Sequence, residues 1–210
     1  MKRAYFVVGP ESAGNRMMTQ ALLEAKDFGA GGIPIEHYED GNIAYEWNPW
    51  WVKKTEEGFV QDILNSLLTA PDEIIFFLSV PRKAWPNKEW VPIAQIVQAM
   101  LDKSYKVYPI VMSRFWKYVA RSQVTRGHVP TYDLAKRYVR RAYRYILDEL
   151  DLVNVPMYLV EYEQFVTEPD YRRAVLKTLD VDGEPQMEFF NANLKYKEGE
   201  DDINIQTIST

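Results

Sequence analysis

Tyr5-Phe6-Val7-Val8-Gly9-Pro10-Glu11-Ser12-Ala13-Gly14-Asn15-Arg16-Met17-Met18 is the stretch whose reading decides the fold. A short apolar run, rich in β-branched and aromatic residues, enters a turn bounded by Gly9 and Gly14. The chain then continues as Met17-Met18-Thr19-Gln20-Ala21-Leu22-Leu23-Glu24-Ala25, which favours a helix. Strand, glycine turn and helix in that order form a phosphate cradle, because glycine permits tight turning and the first helical amides point at an anion. The spacing Gly9-x-x-x-x-Gly14 is that of a P-loop, but Asn15-Arg16 stand where Lys-Ser/Thr is usual. That difference argues against an ordinary ATP or GTP site and toward a different nucleotide.

Working outward, residues 5–8, 74–80, 107–112 and 156–161 read as buried strands, each a short apolar run bounded by polar or turn residues. Helical patterns lie between them. Residues 58–70 place Phe59, Ile63, Leu67 and Leu68 on one face. Residues 91–101 carry Ile93, Ile96, Val97, Met100 and Leu101. Residues 131–150 begin at Thr131, an expected N-cap, and align Leu134, Tyr138, Ala142, Ile146 and Leu150. Residues 171–179 form a last helix. Alternating strands and helices predict an α/β fold of three layers around a central, mainly parallel sheet. A single domain is expected over residues 1–194, with 195–210 as a tail or covering loop. Residues 29–54 differ: they hold four glycines, Pro34 and Pro49, a short strand at 33–35, and Trp47, Trp50 and Trp51. An irregular segment of that length suits a functional loop.

The bulk properties narrow the function. The net charge of −5 gives no reason to expect non-specific binding to nucleic acid. Without cysteine there is neither a disulfide nor a thiolate metal site, and two histidines are too few for a His-rich metal centre. No metal is expected. The apolar runs are too short for a signal peptide or a membrane span, so a cytoplasmic protein is expected, with no membrane partner. Oligomeric state is left open.

A second constellation follows the third predicted strand. Arg114 stands at its carboxyl end, where open α/β sheets bind ligands, and Ser122 lies eight residues on, about two helical turns. A guanidinium fork with a hydroxyl makes a phosphate clamp. Later come Tyr162-Glu163-Gln164-Phe165 and Glu168-Pro169 after the fourth strand. Glycine turn, strand-end Arg with Ser eight positions later, and this closing segment, in that order, resemble the sulfotransferases that use 3′-phosphoadenosine 5′-phosphosulfate. The resemblance runs from about residue 5 to 181, leaving the middle loops unmatched.

The resemblance implies a P-loop NTPase-like architecture and sulfuryl transfer from that donor to a hydroxyl or amine, without metal. Gly9, Pro10, Glu11, Ser12, Ala13, Gly14, Asn15 and Arg16 would hold the 5′-phosphosulfate, and Arg114 and Ser122 the 3′-phosphate. Lys195 and Lys197 would close over the nucleotide. The family's loop usually reads Pro-Lys-Ser-Gly-Thr-Thr; aligned on Gly14, its Lys position is Ser12. The missing cation would come from Arg16, or from Arg82 or Lys83 after the second predicted strand. Glu36 or His37 would be the base, with Glu46 a weaker third. Trp47, Trp50 and Trp51, with Arg82 and Lys83, would face the acceptor, a carbohydrate or small molecule. A basic group at Arg126, Lys136, Arg137, Arg140, Arg141 and Arg144 reads as a solvated helix face paired with acids such as Glu149, or as a site for an anionic acceptor or the donor's 3′-phosphate.

Two other readings stay open. A P-loop nucleotide or small-molecule kinase would want Lys-Ser/Thr after Gly14 and a Mg²⁺-binding Asp at a strand end, and neither is evident. A non-catalytic nucleotide-binding module would keep the fold without the Lys.

Overall fold

The structure, a computed structural model, describes residues 2–25, 35–37, 43–45, 61, 67, 70, 72–82 and 86–196. Its centre is a four-stranded parallel sheet of β1 (Lys2–Pro10), β4 (Glu73–Val80), β5 (Tyr105–Ser113) and β6 (Tyr158–Glu161), in the spatial order β4-β1-β5-β6. All four strands predicted from apolar runs are present, and three extend further than those runs. The reason is visible in β1: Ala4, Phe6 and Val8 face one core and Tyr5 and Val7 the other, all fully buried. A strand buried on both faces has no polar alternation to mark its ends. A separate antiparallel pair, β2 (Ile35–His37) and β3 (Ile43–Tyr45), sets Ile35 opposite Tyr45.

Helices cover both faces. On one side α2 (Ile93–Asp102) and α4 (Tyr132–Asp151) pack Ile93, Ile96, Val97, Met100, Ile146 and Leu150 against the sheet. On the other, α1 (Asn15–Ala25), α5 (Tyr162–Thr167) and α6 (Pro169–Thr178) contribute Met18, Leu22, Phe165 and Leu176. The α3 helix (Trp116–Thr125) packs beside α4 through Ala120, Val129 and Ala135. The fold is therefore three-layered α/β, as the sequence predicts. Of the expected 58–70 helix, Leu67 is buried in the core, and most of the segment lies outside the described residues.

Thr131 caps α4 as expected: its backbone is extended and its hydroxyl accepts a hydrogen bond from Leu134 N at 3.4 Å. The buried stripe of α4 differs at its start. It runs Ala135, Val139, Ala142, Ile146 and Leu150, while Leu134 and Tyr138 pack sideways against α3. A helix contacted on two sides has a wider apolar arc than one stripe. Thr131→Ala is expected to lower stability by about 1 kcal/mol, read as a shift in urea midpoint at unchanged slope.

The strand order fixes where a ligand fits. From β1 the chain goes to the neighbour on one side, β4, and then returns to the other side at β5. Such a reversal opens a crevice outside the carboxyl ends of the two central strands. The turn after β1 and Ser113–Arg114 at the end of β5 flank it.

Candidate anion site at the carboxyl ends of β1 and β5

The turn from Gly9 to Asn15 holds itself in shape. Ser12 and Gly14 have φ of 70° and 104°. A Cβ at Gly14 would stand 2.5 Å from Cδ2 of Tyr162, so any other residue there must displace that ring. Asn15 is 4% exposed, and its Nδ2 donates to the carbonyls of Gly9 and Pro10 and to Ser79 Oγ. Asn15 thus braces the turn. Ala13 N donates to Pro10 O, and Met18 N to Gly14 O. That second bond is the first of α1, so the amides of Asn15, Arg16 and Met17 have no partner carbonyl within the helix.

Three other elements converge on this turn. From the end of β5, Arg114 is 7% exposed and donates through Nη1 to Ser12 O at 2.7 Å. Its Nε donates to Asn193 Oδ1 at 2.8 Å, and Nη2 donates to the same oxygen. The guanidinium lies 4.6 Å from the ring centre of Tyr162, so Tyr162 packs against Gly14 and Arg114 alike. Burial lowers the pKa of Arg114, and Tyr162 and Glu163 oppose that shift. From α4, Tyr143 Oη accepts from Arg114 N at 3.0 Å; burial raises its pKa to about 12. From α3, Gln123 Nε2 donates to Glu11 O at 3.0 Å.

The Glu11 carboxylate meets Lys88 Nζ in a close ion pair, with the Lys88 side chain 3% exposed, and lies 3.7 Å from His128 Nδ1. His128 feels Glu11, Lys88, Arg126 and Arg16, and Arg114 also feels Arg126. Arg16, Lys88, Arg114 and Arg126 therefore act around the turn, with Glu11 and Glu163 as the opposing acids. A chain of net charge −5 concentrates positive potential at this point. Around the same turn Ser12 Oγ, Gln123 Oε1 and His128 Nδ1 are buried without a hydrogen-bond partner among the described residues, as is Asn15 Oδ1. Buried polar groups are ordinarily paired, so unpaired ones gathered at one turn suit a polar ligand.

Burial lowers the pKa of His128 below its ordinary 6.5, more than Glu11 raises it. The unfolded chain takes up this proton at the ordinary value and the native state only at lower pH. Between the two values the unfolded state binds more protons, so stability falls as pH falls through that window. His128→Gln is expected to flatten this part of the profile, measured as urea midpoints between about pH 7.5 and about pH 5.

The structure thus brings together Gly9 through Arg16 and Arg114, while Ser122 lies in the neighbouring α3, 2% exposed. Lys195 is exposed, its Nζ 5.0 Å from the Tyr196 ring centre. Arg82 pairs with Glu89, Nε to Oε2 at 2.6 Å. Arg16 places its guanidinium 6.0 Å from the ring centre of Phe77. Glu36 and His37 stand in β2, and nothing is described of their side chains. Trp47, Trp50, Trp51, Lys83, Glu46 and Lys197 lie outside the described residues.

The basic face of α4 is organised by rings. Lys136 and Arg140 sit 5.0 and 5.5 Å from the ring centre of Trp116, and Arg141 lies 4.4 Å from that of Trp90. Glu149 instead accepts from Ala94 N, at the start of α2. A cleft of about 470 Å³ opens beside Arg114, with Trp116, Arg140, Tyr143, Glu161 and Glu163 among its walls.

Lys88, Gln123, His128, Tyr162 and Asn193 are not singled out in the sequence as site residues. Their signal is spatial: each touches the turn or Arg114 from a distant part of the chain. No metal-binding cluster of His and carboxylates occurs among the described residues, and none of their helices is long and apolar enough to cross a membrane. No family model matches the chain, and no curated protein matches it.

Proposed function

We propose that the protein binds a 3′-phosphorylated adenine nucleotide across the carboxyl ends of β1 and β5. On this reading it is a cytoplasmic sulfotransferase using 3′-phosphoadenosine 5′-phosphosulfate as donor and a carbohydrate or small-molecule hydroxyl or amine as acceptor. The carrying observation is the glycine turn at the crevice between β1 and β5, ringed by basic groups and by buried polar atoms without partners. The donor supplies an activated sulfuryl group. The residues here suit its charge: amides at the start of α1 and Arg16 for the 5′ end, Arg114 for the 3′-phosphate. To take that phosphate, the Nε–Nη2 edge of Arg114 must exchange Asn193 Oδ1 for phosphate oxygens. Arg16, at the start of α1, and Arg82, which pairs with Glu89, are the described candidates for the cation that the turn lacks at Ser12.

A non-catalytic nucleotide-binding module is the second reading. It is favoured by the engagement of Asn15 and Arg114 with the chain's own carbonyls and Asn193. Incubation with the sulfated donor and a panel of sugars and phenols separates the two. Formation of 3′-phosphoadenosine 5′-phosphate above the protein-free rate supports the transferase. Donor binding without product supports the module.

A further inference from the structure

The Glu11, Lys88 and His128 group joins three separate elements: the turn after β1, the segment between β4 and α2, and the end of α3. Lys88 Nζ meets the Glu11 carboxylate in an ion pair beside the imidazole, with the Lys88 side chain almost wholly buried. His128 Nδ1 is buried, faces Glu11 at 3.7 Å, and has no hydrogen-bond partner among the described residues. The side chain as a whole is 32% exposed, so its accessible part is the ring away from Nδ1. An imidazole with one nitrogen facing a carboxylate and its other side exposed is the arrangement of a general base. Separations somewhat beyond hydrogen-bond range before ligand binding are usual for such pairs.

We propose that His128 is the catalytic base, taking the acceptor's proton at Nε2, and that Glu11 is the positioning residue that holds the ring through Nδ1. This rests on the sulfuryl-transfer reading of the turn. As the acceptor oxygen bonds to sulfur, its proton passes to Nε2. The sulfur–oxygen bond to the 5′-phosphate breaks, and its electron pair stays on the phosphate oxygen. The charged groups acting on His128 are Glu11 from the turn, Lys88 before α2, Arg126 at the end of α3 and Arg16 in α1. Glu11 raises its pKa, while burial and the three cations lower it, leaving the ring neutral and able to accept a proton at neutral pH.

The test is NMR titration of the full chain, whose two histidines give few ring signals; His128 is assigned by its loss in His128→Gln. The His128 midpoint is expected below 6.5, lower still in Glu11→Gln, and raised by roughly 0.5 unit or more when 3′-phosphoadenosine 5′-phosphate saturates the site. His128→Gln should still bind that nucleotide, with saturation checked by calorimetry. It should release sulfate from the donor to water ~100-fold more slowly. A midpoint that does not move in protein shown by calorimetry to be saturated, or wild-type sulfate release by His128→Gln, overturns the assignment. If wild type fails to bind the nucleotide at all, the reading of the turn fails first and His128 falls with it.

Discussion

Gly14→Ala is expected to cost roughly 2–6 kcal/mol of stability and to abolish nucleotide binding. Two effects add. The backbone at Gly14 has φ of 104°, which a residue with a Cβ adopts only under strain of about 1–3 kcal/mol. The new methyl would also meet Tyr162 Cδ2 at 2.5 Å. Tyr162 is hemmed in by Arg114 and by hydrogen bonds to Phe190 O and Ala192 N, so its ring has little room to retreat. Overpacking of this kind costs about 1–3 kcal/mol. Gly127→Ala is the control: φ there is 70°, with nothing within 4 Å of an added Cβ, so only the backbone strain applies. Urea midpoints for the two variants should differ clearly. Equal losses would mean that the contact between turn and Tyr162 is soft and does not set the shape of the site.

Arg114→Ala is the second large effect. The guanidinium ties the turn to the chain's closing segment through Ser12 O and Asn193 Oδ1. Its removal also strips a cation from the Tyr162 ring. Hydrogen bonds made by a charged donor contribute about 1.5–3 kcal/mol each, and buried acceptors left without donors add to the loss. A cost of roughly 3–5 kcal/mol follows. Affinity for 3′-phosphoadenosine 5′-phosphate should fall ~10-fold or more, while affinity for adenosine 5′-phosphate, which lacks the 3′-phosphate, should barely change. Arg114→Lys should not rescue the nucleotide effect, because an ammonium lacks the planar fork. Equal losses for both nucleotides would show that Arg114 serves the turn alone.

The sheet was legible because its strands are buried on both faces and read as unbroken apolar runs, as in Tyr5 to Val8. Helix α4 was legible in its length and cap but misread at its first buried turn, since α3 claims Leu134 and Tyr138. The meeting of the turn and Arg114 at one sheet edge was legible in Gly9, Gly14 and Arg114, because turn glycines and a strand-end arginine carry local signatures. The roles of its residues were less so. Asn15 reads as a ligand anchor yet braces the carbonyls of its own turn. Glu11 reads as one residue of a loop yet gathers Lys88, Gln123 and His128, which lie 77 to 117 positions away in the chain. Convergence of that kind has no period and no motif; only the packing of α3 and the pre-α2 segment onto the turn creates it.

We propose above that the crevice between β1 and β5 recognises a 3′-phosphorylated adenine nucleotide. Isothermal titration of the wild-type chain with 3′-phosphoadenosine 5′-phosphate, beside ATP and GTP, tests it most directly. A single site is expected that favours the 3′-phosphorylated nucleotide over either triphosphate by ~10-fold or more, about 1.4 kcal/mol. No heat with that nucleotide, or equal affinity for all three, would contradict it.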